Sequence, residues 1–149
     1  MPQEQIFVGT RPLGMGGAFI AVADDGNTIT WNPAGLPRLR RKEFTSSYAD
    51  LYAMNITHSY AGVVWPFGDR IAIGFDWSNI GFDDQELNYS ENKLNFSLGY
   101  QPFKMFSIGG TFKYMSRDMG LDGTSYGKST GIGYDVGVLF SPFKILRFG

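Results

Sequence analysis

Arg70-Ile71-Ala72-Ile73-Gly74-Phe75-Asp76-Trp77-Ser78 alternates without a break. Ile71, Ile73, Phe75 and Trp77 share one parity; Ala72, Gly74, Asp76 and Ser78 share the other. A period of two is that of a strand with one apolar face. The pattern recurs along the chain. Leu94, Phe96, Leu98 and Tyr100 oppose Lys93, Asn95, Ser97 and Gly99. Phe106, Ile108, Phe112 and Tyr114 oppose Ser107, Gly109, Thr111 and Lys113. Ile132, Tyr134, Val136, Val138 and Phe140 oppose Gly131, Gly133, Asp135 and Gly137. Residues 55–65 read as a further strand, 42–51 as a weaker one, and 145–149 as a seventh, cut short.

Pro66-Phe67-Gly68, Pro102-Phe103-Lys104 and Pro142-Phe143-Lys144 punctuate the strands, with prolines 36 and 40 residues apart. Proline fixes φ and lacks a donor, so it suits a turn better than a central strand. The period is therefore a hairpin: strand, longer polar loop, strand, tight turn. The longer loops are expected at residues 81–90 and 117–130.

The small-residue face carries mostly Gly, Ser, Thr, Asn and Ala, too little charge for a water-exposed sheet surface. The opposite face is large and aromatic. Aromatics gather at strand ends, at Trp65 and Phe67, Tyr100 and Phe103, and Phe140 and Phe143. Strands of about 9–11 residues with such girdles match a tilted membrane crossing. The expectation is an all-β chain: an antiparallel up-and-down transmembrane β-barrel, partial, of about seven strands. An antiparallel sandwich with glycine-rich strands is the alternative.

Residues before 42 do not alternate. They include Leu13-Gly14-Met15-Gly16-Gly17-Ala18-Phe19, Ala21-Val22-Ala23-Asp24-Asp25 and Trp31-Asn32-Pro33-Ala34-Gly35-Leu36. Asp24, Asp25 or Asn27 is placed to cap a short helix ending near Trp31, with Pro33 stopping it. The run Pro12 to Ala23 ends in an A-x-A-like site. It is broken by three glycines and preceded by Glu4 rather than a basic region, so it is not read as a signal peptide.

These three motifs together resemble the N-terminal signature of the FadL-like outer-membrane β-barrel superfamily, most of all its PorV/PorQ branch. The likeness continues more loosely through Gly133-Tyr134-Asp135-Val136-Gly137. The resemblance implies a barrel of about fourteen strands in the bacterial outer membrane of Gram-negative cells, with the N-terminal segment folded into the lumen as a hatch. It divides the chain into a hatch or plug segment, 1–41, and a partial barrel wall, 42–149, of three to four hairpins, ending mid-strand as a fragment would. FadL-branch members admit fatty acids and other hydrophobic compounds. PorV-branch members shuttle cargo in type IX secretion. The expected function is transport of hydrophobic small molecules through a plugged barrel. The alternatives are a docking or shuttle component of protein secretion, and a structural outer-membrane protein without transport activity. The expected partners are outer-membrane lipid and either a hydrophobic small molecule or a secreted cargo protein.

Composition narrows the other classes. Thirteen Lys and Arg against fourteen Asp and Glu leave a net charge of -1, with no basic footprint for nucleic acid. With no cysteine and one histidine there is no thiolate or paired-histidine metal site. His58 reads as structural. Residues 123–129 mimic a phosphate loop but are one residue short between the glycines and precede a strand, so they read as a loop tip. Gly14-x-Gly16-Gly17 lacks the preceding strand of a nucleotide fingerprint. Asp83-Asp84 and Asp118 with Asp122 read as solvated loop acids rather than a calcium site. No enzyme, catalytic residue, cofactor or metal is expected.

Three expectations concern placement. Short barrel turns face the periplasm, so the Pro66, Pro102 and Pro142 turns belong there and Asp83-Asp84 and Asp122-Gly123 outside. Asp76, Lys93, Lys113 and Asp135 share the small-residue face and should form a lumen charge band across neighbouring strands. Met15, Phe19, Ile20 and Trp31, with Asn32 and Pro33, are the candidates for lining a ligand path at the hatch; that they only anchor it stands beside that reading. Asn32 to Leu36 should turn into the first strand, with Asn32 tying the segment down. Gly74, Gly99, Gly109, Gly133 and Gly137 should leave room for its backbone.

Overall fold

A computed structural model describes residues 9–51, 55–83, 87–121, 124–143 and 146–149. The chain is all-β. Seven antiparallel strands form one sheet in sequence order: β1 (Glu43–Leu51), β2 (Ile56–Phe67), β3 (Ile71–Asp83), β4 (Leu87–Phe103), β5 (Phe106–Leu121), β6 (Thr124–Phe143) and β7 (Leu146–Phe148). The sheet curls into half a barrel. Every described neighbour pair is a hairpin, as the alternation requires.

The period-two pattern sorts the two faces. Phe75, Phe96, Leu98, Phe112, Tyr134 and Val136 are all exposed on the convex face. Phe75 lies opposite Phe96 in register, their rings 4.9 Å apart, and Phe112 opposite Tyr134 at 5.4 Å. Such cross-strand aromatic pairs are the usual stabilising unit of a sheet. On the concave face Ala72, Asp76, Asn95, Ser97, Ser107 and Thr111 are buried.

The strands are longer than the apolar pattern. β3 runs past Ser78 to Asp83, β4 begins at Leu87, β5 reaches Leu121 and β6 begins at Thr124. The expected loops at 81–90 and 117–130 are therefore largely strand, and the loop-tip reading of residues 123–129 is corrected for 124–129. A ladder already started needs no apolar face to continue; polar cross-strand pairs suffice. Glu91 lies opposite Arg117 and Asp118 opposite Lys128 in register. Asp84, Asp122 and Gly123 lie outside the described residues.

The proline turns are displaced too. Pro66 is still inside β2, opposite Ala72, and the turn proper follows, with Gly68 at φ 67° in the left-handed region that glycine tolerates. Pro102 and Pro142 sit where the register slips, between Tyr100 and Phe103 and between Phe140 and Phe143. A bulge needs no ladder donor there, so proline's missing N–H does no harm.

Residues 9–41 form two short helices, α1 (Thr10–Gly14) and α2 (Thr28–Trp31), then a 3₁₀ helix over Pro33–Arg38. The expected helix ending near Trp31 is α2, one turn long. Asn27 is its N-cap, but the side-chain bond comes from elsewhere: the Asp25 carboxylate accepts from the Asn27 backbone N–H at 2.8 Å. α1 was not legible. Where a simple turn was expected at 32–36, proline at the first helical position and the Asn32 cap start the 3₁₀ helix instead.

Candidate functional site: the covered concave face

The segment 9–39 lies on the concave face. Two small cores hold it there. Ile29, Leu36 and Leu39 pack with Val64 and Ala72; Phe19, Ala23 and Ala34 pack with Leu139, flanked by Val22 and Trp31. Each fully buried aliphatic or aromatic side chain contributes roughly 1.5–3 kcal/mol, so these few residues dominate the attachment.

Glycines make the approach possible. A Cβ on Gly99 would come within 2.8 Å of the Pro33 carbonyl oxygen, and one on Gly74 within 2.7 Å of Ile29 Cγ1. At Gly109 it would overlap the Pro33 backbone, and at Gly137 the Asn32 amide oxygen. Gly133, expected among them, instead faces Met115 and Lys113 at 3.6–3.7 Å. It lies farther along β6, beyond the reach of the 3₁₀ helix.

Asn32 joins segment to wall. Its Nδ2 donates to the Ile20 carbonyl at 3.0 Å and to the Val138 carbonyl at 3.2 Å, while its Oδ1 accepts from the Ala34 N–H at 3.1 Å. All three bonds are at a residue only 3% exposed. Asn32→Asp keeps the shape but turns both donors into acceptors facing carbonyls. We expect a cost of about 1–3 kcal/mol, read as roughly 5- to 150-fold faster amide exchange over residues 19–31. Unchanged exchange would show that Asn32 ties down nothing.

Asp76 is fully buried beneath the segment. It accepts from Asn95 Nδ2 at 2.8 Å and from Thr30 Oγ1 at 3.2 Å. Lys113 is ion-paired with Asp135 across β5 and β6. Lys93, half-buried, stands two residues from Asn95 on the same face. The four charges thus share the concave face: Lys113 and Asp135 form an ion pair, while Asp76 is held by the Asn95 amide and the Thr30 hydroxyl. Thr30 was missed by sequence reasoning, since its partner lies 46 residues away. Asp76→Leu should strand the Asn95 amide and the Thr30 hydroxyl, lowering the urea midpoint by the equivalent of about 1–3 kcal/mol. Asp76→Asn should lose less, and equal losses would refute the hydrogen-bond account.

The remaining candidates divide. Phe19 is fully buried, with the half-buried Trp31 edge-on at 6.1 Å and the Arg11 guanidinium over its ring at 5.4 Å. Pro33 is buried in the glycine groove. Met15 and Ile20 are 37% and 47% exposed, turned away from the wall. Arg11 bridges Asp24 and Asp25 at 2.7 and 2.8 Å, and Arg147 of β7 reaches Asp24 at 3.5 Å. Both Asp25 and Arg11 therefore work within the segment, where the sequence pointed only to a cap.

His58 is buried on the concave face of β2. Among the described residues, no three His, Cys, Asp or Glu side chains come together as a metal site, and no helix is long and apolar enough to cross a membrane. Compared with protein-family models, with curated proteins and with solved structures, the chain matches none.

Proposed function

We propose that this chain is wall and hatch of an outer-membrane β-barrel of the FadL/PorV-like type, passing hydrophobic small molecules through a plugged lumen. One observation carries the reading. The convex face exposes a continuous belt of large apolar side chains without a charge among Ile71, Ile73, Phe75, Leu98, Phe112 and Val136, while the concave face is small, polar and covered. Soluble monomers rarely expose so broad an apolar surface. Lipid outside and a filled lumen inside account for both faces at once. Lys42, whose ammonium sits 3.4 Å above the Trp65 ring, supports an interfacial position for that end of β2. In this reading residues 9–39 are the hatch, and solute passes by its displacement or by an opening in the wall.

The absence of cysteine makes the test clean. Single cysteines at Asp69, in the β2–β3 turn, and at the exposed Ser129 of β6 are the only thiols in their variants. A membrane-impermeant maleimide on intact cells should label position 129 and leave position 69 until the outer membrane is permeabilised. Labelling of both, or recovery of the protein in the soluble fraction, would overturn the proposal. Uptake of an alkyl-chain fluorophore by liposomes carrying the full chain should rise with Asn32→Asp. No protein-dependent uptake in either form would remove the transport role.

A further inference from the structure

At the turn end of the sheet, between the β4–β5 hairpin and β7, lies a cavity of about 640 Å³ lined by Arg38, Lys104, Ser141 and Arg147 with Phe103 and Phe143. Arg38 closes the 3₁₀ helix and donates from Nη1 to Ser141 Oγ at 3.0 Å. Its Nε and Nη2 are buried without a hydrogen-bond partner among the described residues. Burial, and next the charge of Arg147, push its pKa below the ordinary arginine value. A folded chain rarely leaves guanidinium donors orphaned beside a second guanidinium. The nearest compensation is Asp24, which is shared between Arg11 and Arg147. Lys104 is exposed at the mouth. Three cations therefore converge on one cavity, and the carboxylate nearby is already engaged.

We propose that this cavity binds a phosphate-type oxyanion carried by an amphiphile, its anionic group held by Arg38, Arg147 and Lys104 and its chain lying along Phe103 and Phe143. The guanidinium fork matches phosphate oxygens in pairs, and charge-assisted bonds of this kind are the strong ones. Phe103 and Phe143 are 69% and 68% exposed, so they offer apolar surface just outside the charged mouth. The site uses neither the hatch's movement nor any passage through the lumen, so it stands or falls apart from the transport reading.

The test uses the full chain in a neutral maltoside detergent, titrated with dioctanoyl-phosphatidylglycerol, dioctanoylglycerol and inorganic phosphate. Binding of the phospholipid, with none of the phosphate-free glyceride, is expected. Arg147→Gln and Lys104→Gln, both at exposed positions, should keep the far-ultraviolet circular dichroism and weaken binding, the former by about tenfold or more. Arg38→Gln should weaken it further. Inorganic phosphate competing with the phospholipid at equal affinity would support the same site with a free oxyanion as its source; much weaker phosphate binding would support the lipid. Equal affinity for the phospholipid and the glyceride, or phospholipid binding untouched by both Arg147→Gln and Lys104→Gln, would overturn the proposal.

Discussion

Replacing Gly109 with leucine is expected to lift residues 9–39 off the sheet. A Cβ at this position overlaps the Pro33 carbonyl carbon and lies 2.6 Å from the Ala34 nitrogen. Both obstructing groups are main chain, so no side-chain rotation makes room. The 3₁₀ helix is wedged from several sides, at Gly99 by Pro37 Cδ at 2.5 Å and at Gly137 by Asn32. It cannot slide sideways without meeting another strand. Displacing it exposes Ile29, Leu36 and Leu39, all nearly or fully buried. At roughly 1.5–3 kcal/mol for each, that loss exceeds what most single substitutions cause. Gly110→Ala is the control: one residue along β5, on the other face, its Cβ meets only the Asp135 carbonyl at 3.7 Å. Hydrogen exchange and limited proteolysis over residues 13–36 read the difference. Gly109→Leu should leave these residues as unprotected as a free tail while the β4–β5 ladder keeps its protection. Full protection in Gly109→Leu would mean that the segment does not occupy the groove.

What was legible in the sequence was the parity of the strands. Leu94, Phe96, Leu98 and Tyr100 place one face outward, and a one-residue slip would send all of them inward, so pattern and register are one fact. The upper halves of the strands were not legible. Tyr89, Glu91 and Arg117 carry no apolar alternation, and their strand is held by a ladder and an ion pair at 2.9 Å that only the register reveals. Proline misled by one or two positions. Pro66, Pro102 and Pro142 mark strand ends, but backbone pairing extends to them because edges and bulges leave donors unused. For the concave face, the composition of small residues pointed to close approach, and Gly74, Gly99, Gly109 and Gly137 make it. Gly133 has the same parity and composition, so only depth along the strand separates it from the others. The Asp76–Thr30 bond and the Arg38 cavity depend on which part of an irregular segment lands on which strand. No periodicity encodes that.

Val136→Arg is expected to separate lipid from water as the solvent of the convex face. Val136 is 78% exposed, in the middle of the belt from Ile132 to Phe140, and pairs in register with Gly110, which has no side chain to disturb. In water, an exposed substitution of this kind should change stability by no more than about 0.5 kcal/mol. At the midplane of a bilayer, an arginine facing lipid costs roughly 2–4 kcal/mol, falling to near 1 or less at the interface. Thr130→Arg, exposed on the same face nearer the far end of β6 and paired in register with Ser116, is therefore the matched control. Urea titration of the full chain in liposomes should show Val136→Arg destabilised by that larger amount and Thr130→Arg much less affected; in cells, the former should lower the folded yield in the outer membrane more than the latter. The comparison is internal because both positions are open to solvent in the isolated chain, so no lost protein contact contributes to either result. A depth-dependent cost is a property of the medium. If both arginines are tolerated alike, the belt from Ile71 to Phe140 faces another protein surface or water, and the membrane reading of the concave hatch loses its basis with it.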